Sequence, residues 1–468
     1  MKALRRFTRS LRRRTIPRDW HSRTMFQSIH KLIGGTCGGI ALILGAPAPA
    51  AFSAEPTPPA TPPLLAFPSA EGFGARATGG RGGEVYHVTN LRDAGPGSFR
   101  AAVSRGPRIV VFDVGGVVRL LSNVTASSDL TLAGQTAPGD GIAIYGHSVS
   151  FSGAHNVIVR FLRFRQGVGG DQVRSSINLA DSSNMIFDHV SIEWGRWDSL
   201  SVTQGSHTIT FQYCLIGESL EPGRYGARIG AATDITLSHN LWIDNQSHNP
   251  RARGAIQYIN NVVYNWGVAG LVGGHTSSDH QLDVIGNYFI KGPSSNDRFA
   301  GQFTATDHVY QAGNYVDLVR EGQLNGRLVV ATDFADAGGA PTFVAQPLLH
   351  PPVPVKVDTA EDAYRKIVAG AGCSLHRDSV DTRLIADLTS LSLKGRIIRD
   401  EATVHGIGAV KGGPAPVSTV SDGLSDGWKI AHGLDPKDPK IARGDYNRDG
   451  YSNLEDYLNE LAGDSPAR

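Results

Sequence analysis

Four nine-residue segments decide the fold of this chain: DITLSHNLW from Asp234, AIQYINNVV from Ala255, QLDVIGNYF from Gln281 and HVYQAGNYV from His308. Each is rich in β-branched and aromatic residues, which favour strands. Each also carries an asparagine at the same offset, namely Asn240, Asn261, Asn287 and Asn314. Asparagine tolerates the left-handed turn conformation, and stacked side-chain amides hydrogen-bond along an axis. The shared offset therefore predicts one row of asparagines in a stack of coils.

Three earlier segments extend the series: NVIVRFLRF from Asn156, NMIFDHVSI from Asn184 and HTITFQYCL from His207. The steps between the seven segments are 28, 23, 27, 21, 26 and 27 residues. A repeat of this length that contains strands and no helix indicates a solenoid, because each coil buries its inner face only when the next coil stacks on it. The sequence predicts an all-β parallel β-helix with stacked strands from about Ile109 to Val316.

Composition agrees with an all-β chain. The 468 residues include 56 glycines, only three cysteines and 40% hydrophobic residues, which excludes a disordered or disulfide-stapled protein. The formal charge of +2 hides an uneven distribution, because residues 1–54 hold ten Lys or Arg and a single Asp. The remaining 35 basic and 42 acidic residues leave the body negative. That charge argues against a nucleic-acid partner, so any bound polyanion must be met by local arginines or bridging cations.

The amino-terminal segment predicts export. Residues 32–51 are small and apolar, and they lead into the small-residue site Ala51-Phe52-Ser53-Ala54. This pattern predicts a signal peptide in residues 1–54, with Met25 as an alternative start, and a secreted or periplasmic mature protein. A membrane anchor is the alternative, but Pro47 and Pro49 interrupt the apolar segment too early for a spanning helix.

The rest of the chain divides into a proline-rich linker (55–65), the β-helix (66–320), an extension that packs on it (321–410), a second linker (411–421) and a tail (422–462). Within the extension, the pattern predicts a helix with Thr359 as N-cap and Gly370 at its end. Cys214 and Cys373 are compatible either with a disulfide in an oxidising compartment or with two separate buried thiols.

The tail carries the spacing of a calcium-binding loop. Its ligand positions are Asp445, Asn447, Asp449, the Tyr451 carbonyl and, in the twelfth place, Asp456. Hard oxygen ligands alternate along such a loop, and Gly450 permits its sharp turn. Aspartate in the last place resembles dockerin-type loops more than signalling EF-hands. The pattern predicts a structural Ca²⁺ that folds the tail as an independent module, one able to dock to a protein partner.

Longer stretches carry a family resemblance: AFPSAEGFGARATGGRGGEVYHVTNLRDAGPGSFRAAV (66–103), IVVFDVGGVVRL (109–120), LTLAGQTAPGDGIAI (130–144), NMIFDHVSIEW (184–194) and NPRARGAIQYINNVVYNWG (249–267). In content and order they resemble the bacterial pectate lyases. The resemblance implies a right-handed parallel β-helix, calcium-dependent β-elimination of polygalacturonate, and export from the cell.

The same resemblance points to the residues of the site. In this family the catalytic base is an arginine two residues before a proline, and a second arginine lies three residues after it. With Pro250 as that proline, His248 occupies the position of the base and Arg253 matches the second arginine. The first calcium aspartate of the family falls on Ser175, whereas Asp198 keeps the carboxylate of the next coil.

Two departures from the family leave alternatives open. His248 is a serviceable base near neutral pH, since imidazole titrates around 6.5 and guanidinium only above about 12. Asp171 is a candidate for the carboxylate that Ser175 lacks. The opposite interpretation is a site that has lost activity, and a third is that Arg251 or Arg253 is the base. Further candidates for substrate binding are Trp197, Arg228 and Arg251, with Trp194, Trp242, Trp266, Glu218 and Arg224 as weaker ones.

The sequence therefore predicts a monomeric polysaccharide lyase acting on polygalacturonate or a related polyuronate with Ca²⁺. The alternative is a β-helix protein that binds acidic polysaccharide without cleaving it. A polygalacturonate hydrolase shares the fold but needs clustered aspartates for acid and base catalysis, and no such cluster is evident in the sequence. His248 with Asp198 favours the lyase, and Ser175 favours the binding protein.

Overall fold

A computed structural model describes residues 63–464 of the chain. The expected signal peptide and most of the first linker lie outside this range. Within it, no helix is long and apolar enough to cross a membrane.

The described chain is a parallel β-helix of about nine turns with three faces, which we call A, B and C. Face A is formed by Glu84–Val88, Arg108–Phe112, Leu130–Ala133, His155–Arg160, Ser183–Asp188, His207–Gln212, His280–Ile285, Asp307–Ala312 and Thr342–Phe343. Face B is formed by Val124–Thr125, Val149–Ser150, Ile177–Ala180, Asp198–Thr203, Leu271–Val272 and Ala300–Gly301. Two long strands, Tyr225–Ser238 and Arg251–Ile259, run from face B into face A.

Face C is a separate sheet of shorter strands: Gly116–Arg119, Ile142–Tyr145, Arg163–Arg165, Ser191–Glu193, Leu215–Gly217, Leu241–Ile243, Val262–Tyr264, Tyr288–Ile290, Tyr315–Asp317 and Arg327–Leu328. All of its pairings are parallel except the last one. The predicted fold class is confirmed, although the stack begins at Glu84, before the expected start at Ile109.

The register explains how one core forms from short strands. On face A, equivalent positions of successive coils stack directly, and the row Val157, Met185, Ile209, Ile235, Ile256, Leu282 and Val309 faces inward. All seven side chains are buried. Coils about 4.8 Å apart bring like side chains into contact, so each coil supplies the apolar surface that its neighbour needs.

The asparagine row predicted from the repeat is confirmed. The Nδ2 of Asn240 donates to the Oδ1 of Asn261 at 3.0 Å, and Asn261 donates in the same way to Asn287 at 3.0 Å. Asn287 continues the row by donating to Asn314 at 2.9 Å. The same side-chain oxygens accept the backbone N–H of the preceding asparagine. All four residues are buried, so the row satisfies backbone groups that the turn would otherwise leave unpaired.

A second row, of rings, stacks at the end of face A. The rings of Phe161, His189, Tyr213 and His239 follow one another at centroid distances of 4.8, 5.0 and 4.8 Å. The neighbouring Asp188 carboxylate is buried and accepts hydrogen bonds from Arg160, His189 and Gln212. His189 and Asp188 therefore stabilise the stack of coils.

In the described part of the chain, segments outside the solenoid add five α-helices: α1 (Phe99–Ala102), α2 (Ala360–Gly370), α3 (Ser379–Thr389), α4 (Asp426–Ala431) and α5 (Asn453–Leu461). Short 3₁₀ turns occupy Phe73–Arg76, Gly134–Thr136, Ala331–Phe334, Glu401–Val404 and Ile441–Arg443. The helix expected from the sequence pattern forms as α2, with the hydroxyl of Thr359 accepting from the Asp362 N–H.

Helices α2 and α3 cover face C. Ile367 and Leu384 belong to the apolar cluster that includes Leu215 and Tyr264 of the sheet. Arg165 anchors α3 from beneath, with its Nη2 at 2.7 Å from Asp381 and its Nε at 2.9 Å from Glu193. Such a buried pair is costly to break, because either partner alone would be an uncompensated charge in the interior.

Face A is covered as well. The segment around Leu348 and Leu349, which we call the strap, lies along the later coils, because the N–H groups of these two leucines donate to the carboxylate of Asp283. Phe67 packs with Ile158 and Ile186 of the middle coils, and the tail covers the first coils. Cys214 and Cys373 are both buried and unpaired, which decides between the two alternatives for the cysteines.

We expect Asn261→Ala to lower the free energy of unfolding by about 2–4 kcal/mol, because it leaves buried donors of Asn240 without an acceptor. Chemical denaturation of the full-length protein measures the effect. Asn325→Ala is the control, since Asn325 is exposed and its removal should cost about 0.5 kcal/mol or less. Equal losses for the two variants would show that the asparagine row contributes no special stability.

Candidate active site

Within residues 63–464, neither the α-helices nor the strap pack on the coils of face B that contain Asp198 and His248, although the 3₁₀ turn Ala331–Phe334 contacts the last strand of this face. The register places the predicted site residues on face B. Asp198 begins its strand, and Tyr225 is its partner on the next coil. His248 lies one coil further on, where its carbonyl accepts from the Ala227 N–H. A parallel row contains Ser201, Arg228 and Arg251 on the same three coils. Two rows of functional side chains therefore lie side by side.

The turn that presents His248 is held firmly. His248 adopts a left-handed conformation with φ of 59°, a backbone state that is uncommon for residues other than glycine. The following residue, Asn249, accepts a hydrogen bond from the Tyr258 hydroxyl at 2.8 Å through its carbonyl and one from Asn245 at 3.0 Å through its side chain. Tyr225 stacks on the imidazole at a centroid distance of 4.1 Å. These contacts fix the plane of the ring.

Asp198 is the carboxylate at the centre of the site and is only 1% exposed. The Nδ1 of His248 and the Nε of Arg228 each lie 3.8 Å from one of its oxygens, too far for a hydrogen bond. Within residues 63–464 neither oxygen has a hydrogen-bond partner. A buried carboxylate of this kind has unused capacity for a cation or a donor group.

Positive charge exceeds negative charge around Asp198. Arg228 is 41% exposed and donates to Ser201 at 3.3 Å. Burial, followed by the adjacent positive charge of Arg253, lowers the pKa of Arg251. Arg253 donates through Nε to the Gly274 carbonyl at 2.6 Å, which fixes the direction of its side chain. Three guanidinium groups with a single carboxylate make this face suitable for an anionic ligand.

The structure separates two of the predicted metal ligands. Ser175 stands one coil before Asp198, as counted from the pairing of Ile177 with Leu200. Asp171 accepts hydrogen bonds from the His147 ring and the Ser148 N–H, both at 3.0 Å. His147 belongs to the coil before Ser175, so Asp171 contacts a coil about 10 Å along the axis from Asp198. The two aspartates are not brought together.

Several weaker candidates have other roles. Trp194, Trp242 and Trp266 are completely buried in the structure, so they do not present a surface for sugar rings. Glu218 is also buried, and both of its oxygens accept from Arg383 of α3 at 2.7–2.8 Å. Trp197 differs because it is only partly buried and lies edge-on to Tyr225, with ring centroids 6.1 Å apart.

Sequence reasoning did not single out Tyr225. The repeat could have indicated it, because Tyr225 lies 27 positions after Asp198, which is one repeat step along the chain, and therefore lies on the same face. Across residues 63–464, no group of three or more Asp, Glu, His or Cys side chains converges in an arrangement that holds a metal ion.

These features define a parallel β-helix protein whose face B carries an excess of cationic side chains, a histidine and a buried carboxylate, a surface that we call the groove. No protein-family profile matches the chain. The chain is 41% identical over 408 residues to a probable pectate lyase C of Aspergillus flavus, covering 87% of this chain and 96% of that protein. It is 42% identical over 399 residues to a probable pectate lyase C of Aspergillus terreus, covering 85% and 94%.

Among solved structures, the thermostable pectate lyase PL 47 matches with a TM-score of 0.51 at 16% identity, over 66% of this chain and 98% of that one. This likeness shows the shared fold. The identity of 41–42% to the fungal proteins, over nearly their full length, also shows the family. The chain belongs to the pectate lyase family and is an enzyme of the lyase class.

Proposed function

We propose that this protein is a secreted lyase that cleaves pectate, or a related polyuronate, by β-elimination. The observation that carries the proposal is the approach of the His248 Nδ1 to within 3.8 Å of Asp198 on face B, beside three arginines. A polyuronate carries one carboxylate per sugar, and guanidinium groups can bind such carboxylates. Arg228 and Arg251 lie on successive coils, and Arg253 lies on the same strand as Arg251.

His248 acts as the general base in this proposal. Its Nδ1 is buried and faces Asp198, and the side chain is 14% exposed, so the opposite edge with Nε2 is available to the substrate. Neutral imidazole removes the proton from the carbon next to the uronate carboxylate. The released electron pair forms a carbon–carbon double bond while the glycosidic carbon–oxygen bond breaks. The leaving oxygen then takes a proton from water.

The charged neighbours support that proton transfer. Asp198 faces the Nδ1 of His248, and its negative charge favours the imidazolium when no cation is bound to that carboxylate. Arg228, Arg251 and Arg253 neutralise uronate carboxylates and stabilise the enolate-like charge of the transition state. Tyr225 positions the imidazole, because stacking restricts rotation of the ring. The partly exposed Trp197 supplies an apolar surface for a sugar ring.

A calcium ion fits this groove as an ion shared with the substrate. The observation behind the fit is the pair of buried, unused oxygens on Asp198 in the described chain. Asp198 would be the holding residue, whereas Ser175 has no charge and Asp171 contacts another coil. When bound, calcium would neutralise the uronate carboxylate and so acidify the neighbouring proton.

The proposal includes a second calcium site, in the loop of the tail. Asp445 accepts from the Gly450 N–H at 3.1 Å, and Asp449 accepts from the Tyr451 N–H at 2.9 Å, so both carboxylates fold back over the loop. Burial, and then the charges of Asp449 and Asp445, raises the pKa of Asp456 to about 7. A bound cation would relieve that repulsion, which supports Asp445, Asn447, Asp449, Tyr451 and Asp456 as a calcium-binding set.

We expect His248→Ala to lower kcat on polygalacturonate at least about 100-fold while leaving the affinity for oligogalacturonate nearly unchanged. A general base contributes in the transition state and little to ground-state binding. The ultraviolet absorbance of the unsaturated product measures turnover, and calorimetry measures binding. His207→Ala is the matched control, because His207 is an exposed histidine of the same solenoid away from the groove.

His248→Arg tests the role of the base further. Guanidinium loses its proton only at much higher pH than imidazole, so the variant should keep activity with an optimum shifted to higher pH. A wild-type protein that binds polyuronates yet produces no unsaturated product, with or without His248→Arg, would contradict the lyase proposal. The protein would then be a binding protein for acidic polysaccharide.

Calcium binding by the tail has its own test. We expect titration calorimetry of the full-length protein, without substrate, to detect a calcium site that Asp449→Asn weakens by at least about tenfold, since a loop ligand loses its charge. Asp438→Asn, in the same tail but outside the loop, should have no effect. Calcium binding that is the same in all three proteins would contradict the assignment of the tail loop.

A further inference from the structure

The tail covers an apolar surface of the β-helix. Ile109, Val111 and Ala133 project from the outer side of the first coils of face A, yet they are buried. Their cover consists of residues from α4, the loop region and α5: Leu424, Trp428, Ala442, Leu454, Tyr457 and Leu458. Burial of these apolar side chains stabilises the contact between the tail and the solenoid.

Polar contacts make the attachment specific. The Nε of Arg81 lies 2.6 Å from a carboxylate oxygen of Glu455, and its guanidinium group also faces the ring of Tyr451 at 5.7 Å. Arg160 pairs with Asp464 at 2.9 Å while it also holds the buried Asp188. Buried or half-buried ion pairs of this kind fix one orientation of the tail.

Residues of the calcium loop also belong to the interface between the tail and the β-helix. Tyr451 supplies the seventh position of the loop and contacts Arg81. Helix α5 begins directly afterwards with a capping box, in which Ser452 accepts from the Glu455 N–H and Glu455 bonds back to Ser452. Glu455 pairs with Arg81, and the next residue, Asp456, is the last loop position. The loop and the docked helix cannot change shape independently.

One side chain points to a cation in this loop. Asp456 is 3% exposed, and its Oδ2 has no hydrogen-bond partner within the described part of the chain. A buried carboxylate without a partner is costly, and a cation bound in the loop would offset that cost.

We infer that the tail is a calcium-dependent clamp within the molecule: Ca²⁺ in the loop of Asp445 to Asp456 holds α5 on the first coils of the β-helix. The inference rests on the proposed calcium loop and goes beyond it. In this inference the tail docks on the β-helix of the same chain, and not on a separate protein partner. Calcium then acts on the enzyme at a second place, independently of the groove on face B.

Two measurements on the full-length protein test the clamp. Terbium luminescence, excited through tyrosine, reports occupancy of the loop because Tyr451 is one of its ligand positions. Limited proteolysis in the 411–421 linker and the tail reports opening of the clamp. With calcium at 100 times its dissociation constant, we expect cleavage to slow by up to about 100-fold relative to chelator, since cleavage follows the open population.

Three variants distinguish calcium binding by the loop from attachment of the tail to the β-helix. Asp449→Asn should remove both the terbium signal and the protection by calcium, and Asp438→Asn should retain both. Arg81→Gln leaves the ligands in place, so it should keep the terbium signal but reduce the protection. Terbium binding at the loop without any protection by calcium would overturn the clamp and leave the calcium loop standing. A terbium signal that Asp449→Asn does not alter would overturn both. Lyase activity is measured separately and decides neither result.

Discussion

The in-register stacking of parallel coils is the constraint on which the rest of this molecule depends. Backbone hydrogen bonds between coils set a spacing of about 4.8 Å, and that spacing aligns like side chains into rows. Inside, the rows form the apolar core, and at one turn Asn240 to Asn314 form a continuous chain of amides. On face B, the same alignment places Asp198, Tyr225 and His248 on consecutive coils. The stability of the core and the arrangement of the candidate site both follow from this register.

Covering segments decide where the functional surface lies. A solenoid of this kind has three equivalent outer faces, and each is exposed unless another part of the chain lies on it. Helices α2 and α3 occupy face C through Arg165 and its buried carboxylate partners. Burial raises the pKa of Asp378, but Arg165 outweighs that effect and holds it at about 2. The strap and the tail occupy face A, so an extended polymer has access to face B.

The local charge of the groove differs in sign from the net charge of the body of the chain. The body of the chain has more acidic than basic residues, yet Arg228, Arg251 and Arg253 outnumber the single carboxylate of Asp198. A net negative charge is therefore compatible with the proposed binding of an acidic polysaccharide at this surface. Ser175, where the family resemblance implies an aspartate, adds no negative charge to this surface.

The sequence by itself determined the properties that repeat along one axis. Its 21–28-residue steps, the asparagine offset and the cap at Thr359 are local patterns, and the structure reproduces them. The placement of Asp171, the pairing of Glu218 with Arg383 and the attachment of the tail were decided by tertiary structure alone. The physical reason is that coil register fixes a residue's height and face. Loops and covering segments are positioned by contacts with residues far away in sequence, and no local periodicity encodes those contacts.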